Sequence, residues 1–501
     1  MTVKNVVIVA GGKNSRFREM SIFPKLLLPI NPVDSILTHD MKLFRKQNVT
    51  ILVNQDYYQM TKDYVANLGL KCNVVESTCT KGSATSIFSA LAELPKENVL
   101  FIWSDLILSK DAIEDFMEKI KDVDDLVYGT YTLDYRLGVD KSGSALGDQH
   151  NLPGIYYARD LNKLFDGFKV GSEEVDLAEL FERTLTSHRA VPYEGQILEF
   201  RDKKTFLDFY KDPFQKVSPT ARFFNQISVN GDTLIKKCIN KNYDKLIERE
   251  ALWYEELENE GLSAIAPKFY SFDSENHIMK IEYIKGKPVF DALNYENLSQ
   301  VMESIHKNLE QLHSIKAASV SEEDFIDSMR DELYVKPLER CKKVKNMLIN
   351  YDEGALISLL SEAWNYIKDN ADKEACLVHG DLNMSNMILS DEGEVKFIDP
   401  RGYFGKLKLY GSADYDYSKV LYALSGFDKF NAANYIYYSD GVYDKPEDRT
   451  EFAPSWLNTK LNRVIVATIW ISLTSYIGQD IYKANIAYEH GVMLLKKALE
   501  D

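Results

Sequence analysis

The sequence predicts an α/β protein made of two unlike domains in tandem. Three observations carry that expectation. The chain has 501 residues, more than one ordinary hydrophobic core organises. Up to about residue 210 it alternates short apolar runs with amphipathic segments, the pattern of an α/β layer. Beyond that point two strands come first, and the rest reads as mostly helical.

Val6–Ala10, Val49–Val53, Cys72–Glu76, Val99–Trp103 and Leu126–Thr130 read as strands. Ser83–Leu94 and Ala112–Ile120 have helical spacing between them, so the sheet is expected to be largely parallel. The pattern breaks at Lys211–Thr220 (KDPFQKVSPT), where Pro213 and Pro219 bracket a polar stretch. The expected linker lies there, dividing the chain into 1–215 and 216–501. Phe224–Val229 and Asp232–Ile239 follow as strands, and Asn230-Gly231 between them is a strong two-residue hairpin signal. A helix over Asp244–Gly261 and a strand over Ile278–Ile284 complete a small lobe of about 221–290. In the larger lobe, about 291–501, Leu298, Val301, Met302, Ile305, Leu309 and Leu312 recur on one helix face.

Composition narrows the function. Hydrophobic residues make up 45% and charged residues 27%, as in folded globular chains. A net charge of -16 argues against a general nucleic-acid binder, which needs a basic surface. Five scattered cysteines show no zinc-like spacing, and at this size they suggest a reducing cytoplasm rather than a disulfide scaffold. The opening MTVKNVVIVAGG runs into a strand without a signal-peptide pattern. Val464–Ile477, the longest apolar stretch, falls short of the roughly 20 residues a bilayer span needs. A buried helix is expected there, and no membrane insertion. Partners are expected to be small molecules and nucleotides; the sequence leaves a homo-oligomer open.

Two segments carry chemistry. In the first, VVIVAGGKNSRFREMSIFPKLLL, a buried strand ends in Gly11-Gly12, where missing side chains let backbone N–H groups approach an anion. Arg16 and Lys25 add positive charge for a triphosphate. G-x-G-x-x-G is absent, which argues against a dinucleotide loop. A plain strand-to-helix turn would not account for Arg16 and Pro24-Lys25 together. Asp105 ends the apolar run Leu100–Trp103 plus Ser104, where α/β sheets place ligands, although an Asp there also suits a helix cap.

This constellation resembles the signature of the sugar-phosphate nucleotidyltransferase superfamily, which includes phosphocholine cytidylyltransferases. The resemblance covers most of residues 1–210 and implies a Rossmann-like nucleotidyltransferase domain. It departs at Asn14, where the family has glycine; Asn tolerates left-handed backbone better than most residues. Thr80-Lys81-Gly82-Ser83-Ala84 looks like the family's base-recognising loop, with Gly82 and Ser83 binding nucleotide. Asp105, with Asp202 in FRDKKTF, looks like the metal pair, although Lys203 and Lys204 stand where the family has small residues. The resemblance implies Mg²⁺ and CTP or another NTP.

The second segment is stronger. Val378-His379-Gly380-Asp381 leads into Asn386, and a following strand ends in Asp399. H-G-D-x-x-x-x-N followed by a strand-terminal Asp is a kinase catalytic loop with its metal carboxylate. Asp381 would meet a substrate hydroxyl, while Asn386 and Asp399 would hold Mg²⁺. His-Gly-Asp in place of His-Arg-Asp, with no Ala-Pro-Glu after it, resembles the aminoglycoside phosphotransferase and choline kinase family over roughly 221–501. That implies a bilobal α+β kinase-like domain using ATP. Lys237, on one strand face with Ile235 and Ile239, would then bind phosphates and pair with Glu250; Lys236 is the alternative, since register is open. Glu282 and Ile284 would flank the adenine hinge. His306 and His313 read as structural, and His379 as a brace of the loop. Asp414 and Asp416 are candidate substrate contacts. The many aromatics after Asp399 suit a cation cage, a sugar platform or plain core packing.

A kinase makes a phosphomonoester and a nucleotidyltransferase consumes one. The expectation is therefore consecutive action on a small alcohol or sugar, feeding a surface polysaccharide or lipid. A choline or ethanolamine route with CTP is the first alternative. The second is that one domain is inactive and serves as a nucleotide-binding scaffold.

Overall fold

The structure is a computed structural model that describes residues 3–12, 21–31, 33–79, 81–121, 126–132, 150–151, 154–169, 175–177, 180, 188–192, 197–199, 209 and 225–501. Arg16, Asn14, Thr80, Asp202 and the expected linker at 211–220 lie outside the described residues.

The N-terminal half is built on strands apolar on both faces, as a sheet covered on both sides requires. In Asn5–Ala10, Val6 and Ile8 enter one core while Val7 and Val9 enter another. The main sheet runs in the order His188–Pro192, Leu126–Thr132, Ile155–Asp160, Glu97–Trp103, Asn5–Ala10, Asn48–Asn54, Asn73–Ser77. Pairing is parallel except for Ile155–Asp160, which runs antiparallel to both neighbours. Helices Gln55–Leu68, Ser83–Ser89 and Lys110–Lys119 lie in the connections. The helix expected over Ser83–Leu94 breaks into Ser83–Ser89 and a 3₁₀ turn, Leu91–Glu93. Pro95 accounts for the end of the 3₁₀ turn, because a residue before proline is pushed out of the helical region and Leu94 takes extended backbone at ψ 151°.

In the C-terminal half a four-stranded antiparallel sheet comes first, in the order Asn225–Asn230, Thr233–Cys238, Ile278–Glu282, Phe269–Asp273. Its hairpin turns one residue later than the sequence suggests. Asn230 pairs with Thr233, so Gly231-Asp232 form the tip, and Gly231 takes the left-handed conformation at φ 60° that the turn demands. Helix Asp244–Asn259 packs behind this sheet. The larger lobe gathers helices Leu298–His313, Glu353–Asn370, Ala413–Leu424, Lys460–Leu473 and Ile481–Glu500. The apolar stretch at 464–477 sits largely in the buried helix Lys460–Leu473. Among the described residues no helix is long and apolar enough to cross a membrane.

The two halves share a core. The apolar cluster under Val6, Ile8, Ile51 and Ile102 continues without a break into that of the large helical lobe, through Phe23, Tyr437 and Tyr482.

Candidate active sites

The first site is a cleft of about 290 Å³ at the carboxyl ends of the central strands, lined among others by Gly12, Lys25, Gly82, Ser83, Trp103 and Asp105. Strand Asn5–Ala10 delivers Gly11 and Gly12 there. A Cβ on Gly11 would come within 2.8 Å of Ser86, whereas one on Gly12 would meet nothing. Gly11 is therefore demanded by packing, and Gly12 presents open backbone to the cleft. Gly82 has φ 85°, and a Cβ there would lie 2.3 Å from the Val175 carbonyl oxygen. Only glycine starts this helix. Asp176 accepts from the Ser83 amide and hydroxyl at 3.2 and 3.1 Å, and the Ser83 hydroxyl accepts from Leu177 N–H at 2.8 Å. Across the cleft Lys25 Nζ donates to Asp105 Oδ2 at 2.9 Å. Lys25 and Asp105, 80 positions apart in the chain, thus meet, with both side chains partly open to solvent.

In the second site the loop after Cys376–Leu377 is held from several directions. His379 is fully buried; burial, outweighing nearby carboxylates, pushes its pKa down. Its Nδ1 accepts from the Asp381 amide at 3.2 Å, and its Nε2 donates to the Ile398 carbonyl at 2.8 Å. That pairing fixes the neutral tautomer protonated on Nε2. Trp253 of the small-lobe helix donates to the Val378 carbonyl at 3.0 Å and packs its ring edge-on to His379. Asp381 accepts from Asn383 and Lys419 on Oδ1, at 3.2 and 3.0 Å, and from Asn386 on Oδ2 at 3.3 Å. Asp399 holds φ 56°, an uncommon conformation for a non-glycine residue.

The lysine that pairs with Glu250 is Lys236, the alternative the sequence left open, and not Lys237. Lys236 Nζ lies 2.9 and 2.7 Å from the Glu250 oxygens and 2.7 Å from Asp399 Oδ1. Burial works against its charge, but Asp399 and Glu250 outweigh it and hold its pKa above the ordinary lysine value. Lys237 points outward and is exposed. Matching Ile235 to the inner face misleads because that face is Leu234, Lys236 and Cys238, while Ile239 is 58% exposed. A buried lysine neutralised by two carboxylates occupies a position the apolar rule reserves for a hydrophobe. Glu282 ends its strand, its carboxylate accepting from the Lys268 amide at 3.1 Å, and Ile284 follows in the connection to the large lobe.

Asp416 does not reach toward a substrate, correcting a second expectation. It is fully buried and accepts from the amides of His379 and Gly380 at 2.8 and 2.7 Å, with His313 Nε2 at 3.2 Å. Asp414 accepts from the Asp372 amide at 3.1 Å. Asp428, unremarked in the sequence, accepts from Met384 and Ser385 amides at 3.1 and 3.3 Å. Lys419 and the buried Glu332–Arg401 pair, with bonds of 2.7 and 3.0 Å, were equally invisible. Only the periodic acidic residues opening helix Ala413–Leu424 hinted at any of these.

A glycine-lined cleft carrying a lysine–carboxylate pair, and a braced His-Gly-Asp loop facing a lysine–glutamate pair, are the two candidate sites of the chain. Residues 6–160 match the MobA-like NTP transferase domain, and residues 220–423 match the phosphotransferase enzyme family. The chain is thus a fusion of a nucleotidyltransferase domain with a kinase-like phosphotransferase domain. No curated protein matches the sequence. Among solved structures, the inositol-1-phosphate CTP transferase from T. maritima is 15% identical, with 41% of this chain and 92% of that one covered and a TM-score of 0.35. A choline/ethanolamine kinase family protein from Mesorhizobium loti is 13% identical, covering 59% and 91%, with a TM-score of 0.37. Choline kinase LicA from Streptococcus pneumoniae is 17% identical, covering 56% and 92%, with a TM-score of 0.33.

Proposed function

We propose that the two domains act in sequence. The C-terminal domain moves the γ-phosphoryl group of ATP to a hydroxyl of a small sugar or polyol, and the N-terminal domain joins the resulting phosphomonoester to an NMP. In the first step the acceptor oxygen bonds to the γ-phosphorus, the bond to the β-phosphate oxygen breaks, and Asp381 takes the hydroxyl proton. In the second an oxygen of the monoester bonds to the α-phosphorus of an NTP, and pyrophosphate leaves. Lys236 orients the phosphates of ATP, and Glu282 and Ile284 border its base. Lys25, with Arg16, gathers the charge of the NTP over Gly11 and Gly12, and Gly82 and Ser83 approach its base. The product would be an activated building block for a surface polysaccharide or lipid.

The donors present suit Mg²⁺. Asp399 and Asn386 in one site, and Asp105 in the other, offer hard oxygens; Asp202, the expected second carboxylate, lies outside the described residues. Among the described residues no group of three or more His, Cys, Asp or Glu gathers to hold a metal. Sparse carboxylates fit a cation that keeps water and phosphate oxygens as its other ligands. Bound there, Mg²⁺ would neutralise phosphate charge.

Lys419 is the observation that favours a sugar or polyol over choline. Its ammonium sits 3.0 Å from Asp381 and over the rings of Tyr422 and Phe427, at 4.6 and 5.6 Å. The aromatic faces beside the proposed base already hold a cation. A quaternary ammonium entering there would meet like charge. The test is a screen of hexoses, polyols, choline and ethanolamine with ATP and each NTP, following ADP and pyrophosphate. Asp381→Ala should abolish ADP formation and, with it, pyrophosphate release, which returns when the phosphomonoester is supplied; Asp105→Ala should abolish pyrophosphate release alone. Choline as the best acceptor would reverse the substrate assignment.

A further inference from the structure

The transferase cleft is walled by elements that the other domain grips. Phe23 stands two residues before Lys25, is fully buried, and packs edge-on against Tyr437 at 5.9 Å and Tyr482 at 5.7 Å. Both tyrosines belong to the large helical lobe and are themselves fully buried. Pro24, at φ -66° and ψ 140°, links this wedge to Lys25 through a torsion its ring holds nearly fixed. On the far side of Lys25, Leu26, Leu27 and Leu28 are all buried. Lys25 therefore hangs between two anchors, and the upstream one lies in the phosphotransferase domain.

The second grip is on helix Gln55–Leu68. Its N-terminal end belongs to the cleft: Asn54 Nδ2 donates to the Gly12 carbonyl at 3.1 Å, and Tyr57 lines the cavity. Its C-terminal end belongs to the other domain. Tyr64 Oη donates to the Gln479 carbonyl at 2.7 Å, and Asn67 Nδ2 to that of Ser475 at 3.1 Å. Asp63 accepts from the amide and side chain of Asn346 at 3.2 and 3.0 Å. Approach is close enough that a Cβ on Gly478 would fall 2.3 Å from Asn67 Nδ2.

We infer that the phosphotransferase domain is a structural part of the transferase site: Phe23, held between Tyr437 and Tyr482, sets Lys25 opposite Asp105. Phe23, Tyr437 and Tyr482 are positioning residues, since each acts through Lys25. The inference rests on the reading of the N-terminal cleft as an NTP site, and a second readout separates the two.

The experiment uses the full chain with Phe23→Ala, Phe23→Leu, Tyr437→Leu and Tyr482→Leu. Pyrophosphate release from CTP, UTP or GTP with supplied hexose and polyol phosphates, ADP formation by the other domain, and the rate at which acetic anhydride modifies Lys25 are followed in each. Phe23→Ala and Tyr482→Leu should lower transferase kcat about ten- to a hundredfold, as misplacement of a positioned group by about 1 Å does. ADP formation should hold at the wild-type rate, Lys25 should react several-fold faster, and Phe23→Leu should restore most of the transferase rate and most of the protection of Lys25. If Phe23→Ala fails to fold, the tyrosine variants decide by the same readouts. Lys25 reactivity and transferase kcat unchanged in the folded variants would overturn the inference. A wild-type chain that turns over no NTP would sink the reading of the cleft, and Lys25 reactivity would still decide the wedge.

Discussion

Lys236 shows how much one side chain can organise. It bonds both Glu250 and Asp399, joining the small lobe, its helix and the strand that ends the catalytic segment. Removing the ammonium leaves the buried Glu250 carboxylate facing that of the partly exposed Asp399 with no counter-charge between them. Lys236→Met should lower phosphotransferase kcat by about a hundredfold or more, while Lys237→Met, on the exposed face, stays near wild type; equal losses in steady-state ADP assays would argue against the assignment. Glu332 gives a residue-scale prediction of another kind. Burial alone would raise its pKa, but Arg401 and Lys336 outweigh it and bring it down to about 2. A carboxylate depressed from 4.5 to about 2 stabilises the fold above its unfolded pKa and loses that contribution as pH falls through the folded one. Glu332→Gln should cost on the order of 3 kcal/mol at neutral pH. Urea midpoints measured from pH 5 to pH 2 should fall less steeply in the variant than in wild type.

At the scale of elements, two helices hold the His-Gly-Asp loop by their first turns. Asp416, early in Ala413–Leu424, takes the amides of His379 and Gly380, and Asp428, early in Phe427–Ala432, takes those of Met384 and Ser385. A carboxylate in a first turn also suits the helix dipole, so each helix and its half of the loop stabilise one another. Asp416→Ala would leave two buried amides unpaired, at about 1–3 kcal/mol each. We expect a lower melting temperature and a larger fall in phosphotransferase kcat, with Asp414→Ala little changed; the reverse order in melts and ADP assays would show that Asp416 does not brace the loop. In the transferase half the start of Ser83–Ser89 is equally constrained. Gly82→Ala meets the Val175 carbonyl and a left-handed backbone at once, so pyrophosphate release should drop while ADP formation persists.

At the scale of the molecule the continuous core makes the chain more than two enzymes on a tether. Inter-domain contacts within a chain are ordinarily small and polar, whereas here Phe23, Tyr437 and Tyr482 are fully enclosed. Exposing one phenylalanine ring alone costs roughly 1.5–3 kcal/mol. Residues 1–215 produced alone should therefore melt well below the full chain and tend to associate, and calorimetry of the full chain should show one merged transition. Two separate transitions, one matching the isolated segment, would mean that the halves fold independently.

The sequence by itself determined the class of each half, because the features that carry it are local. A glycine pair at a strand end, or a His-Gly-Asp loop with Asn five residues on, is dictated by backbone geometry within a few residues. Periodicity likewise placed the main strands and helices to within a few positions of where they lie. Only the tertiary structure decided which of Lys236 and Lys237 turns inward, since strand alternation offers two registers and burial of a charge depends on partners 14 and 163 positions away. It alone revealed Asp416, Asp428 and Lys419 as supports of the loop, and Phe23 as a wedge in a foreign domain. Long-range packing leaves no periodic trace in the chain, because each such contact is fixed by where two distant segments meet and not by their neighbours in sequence.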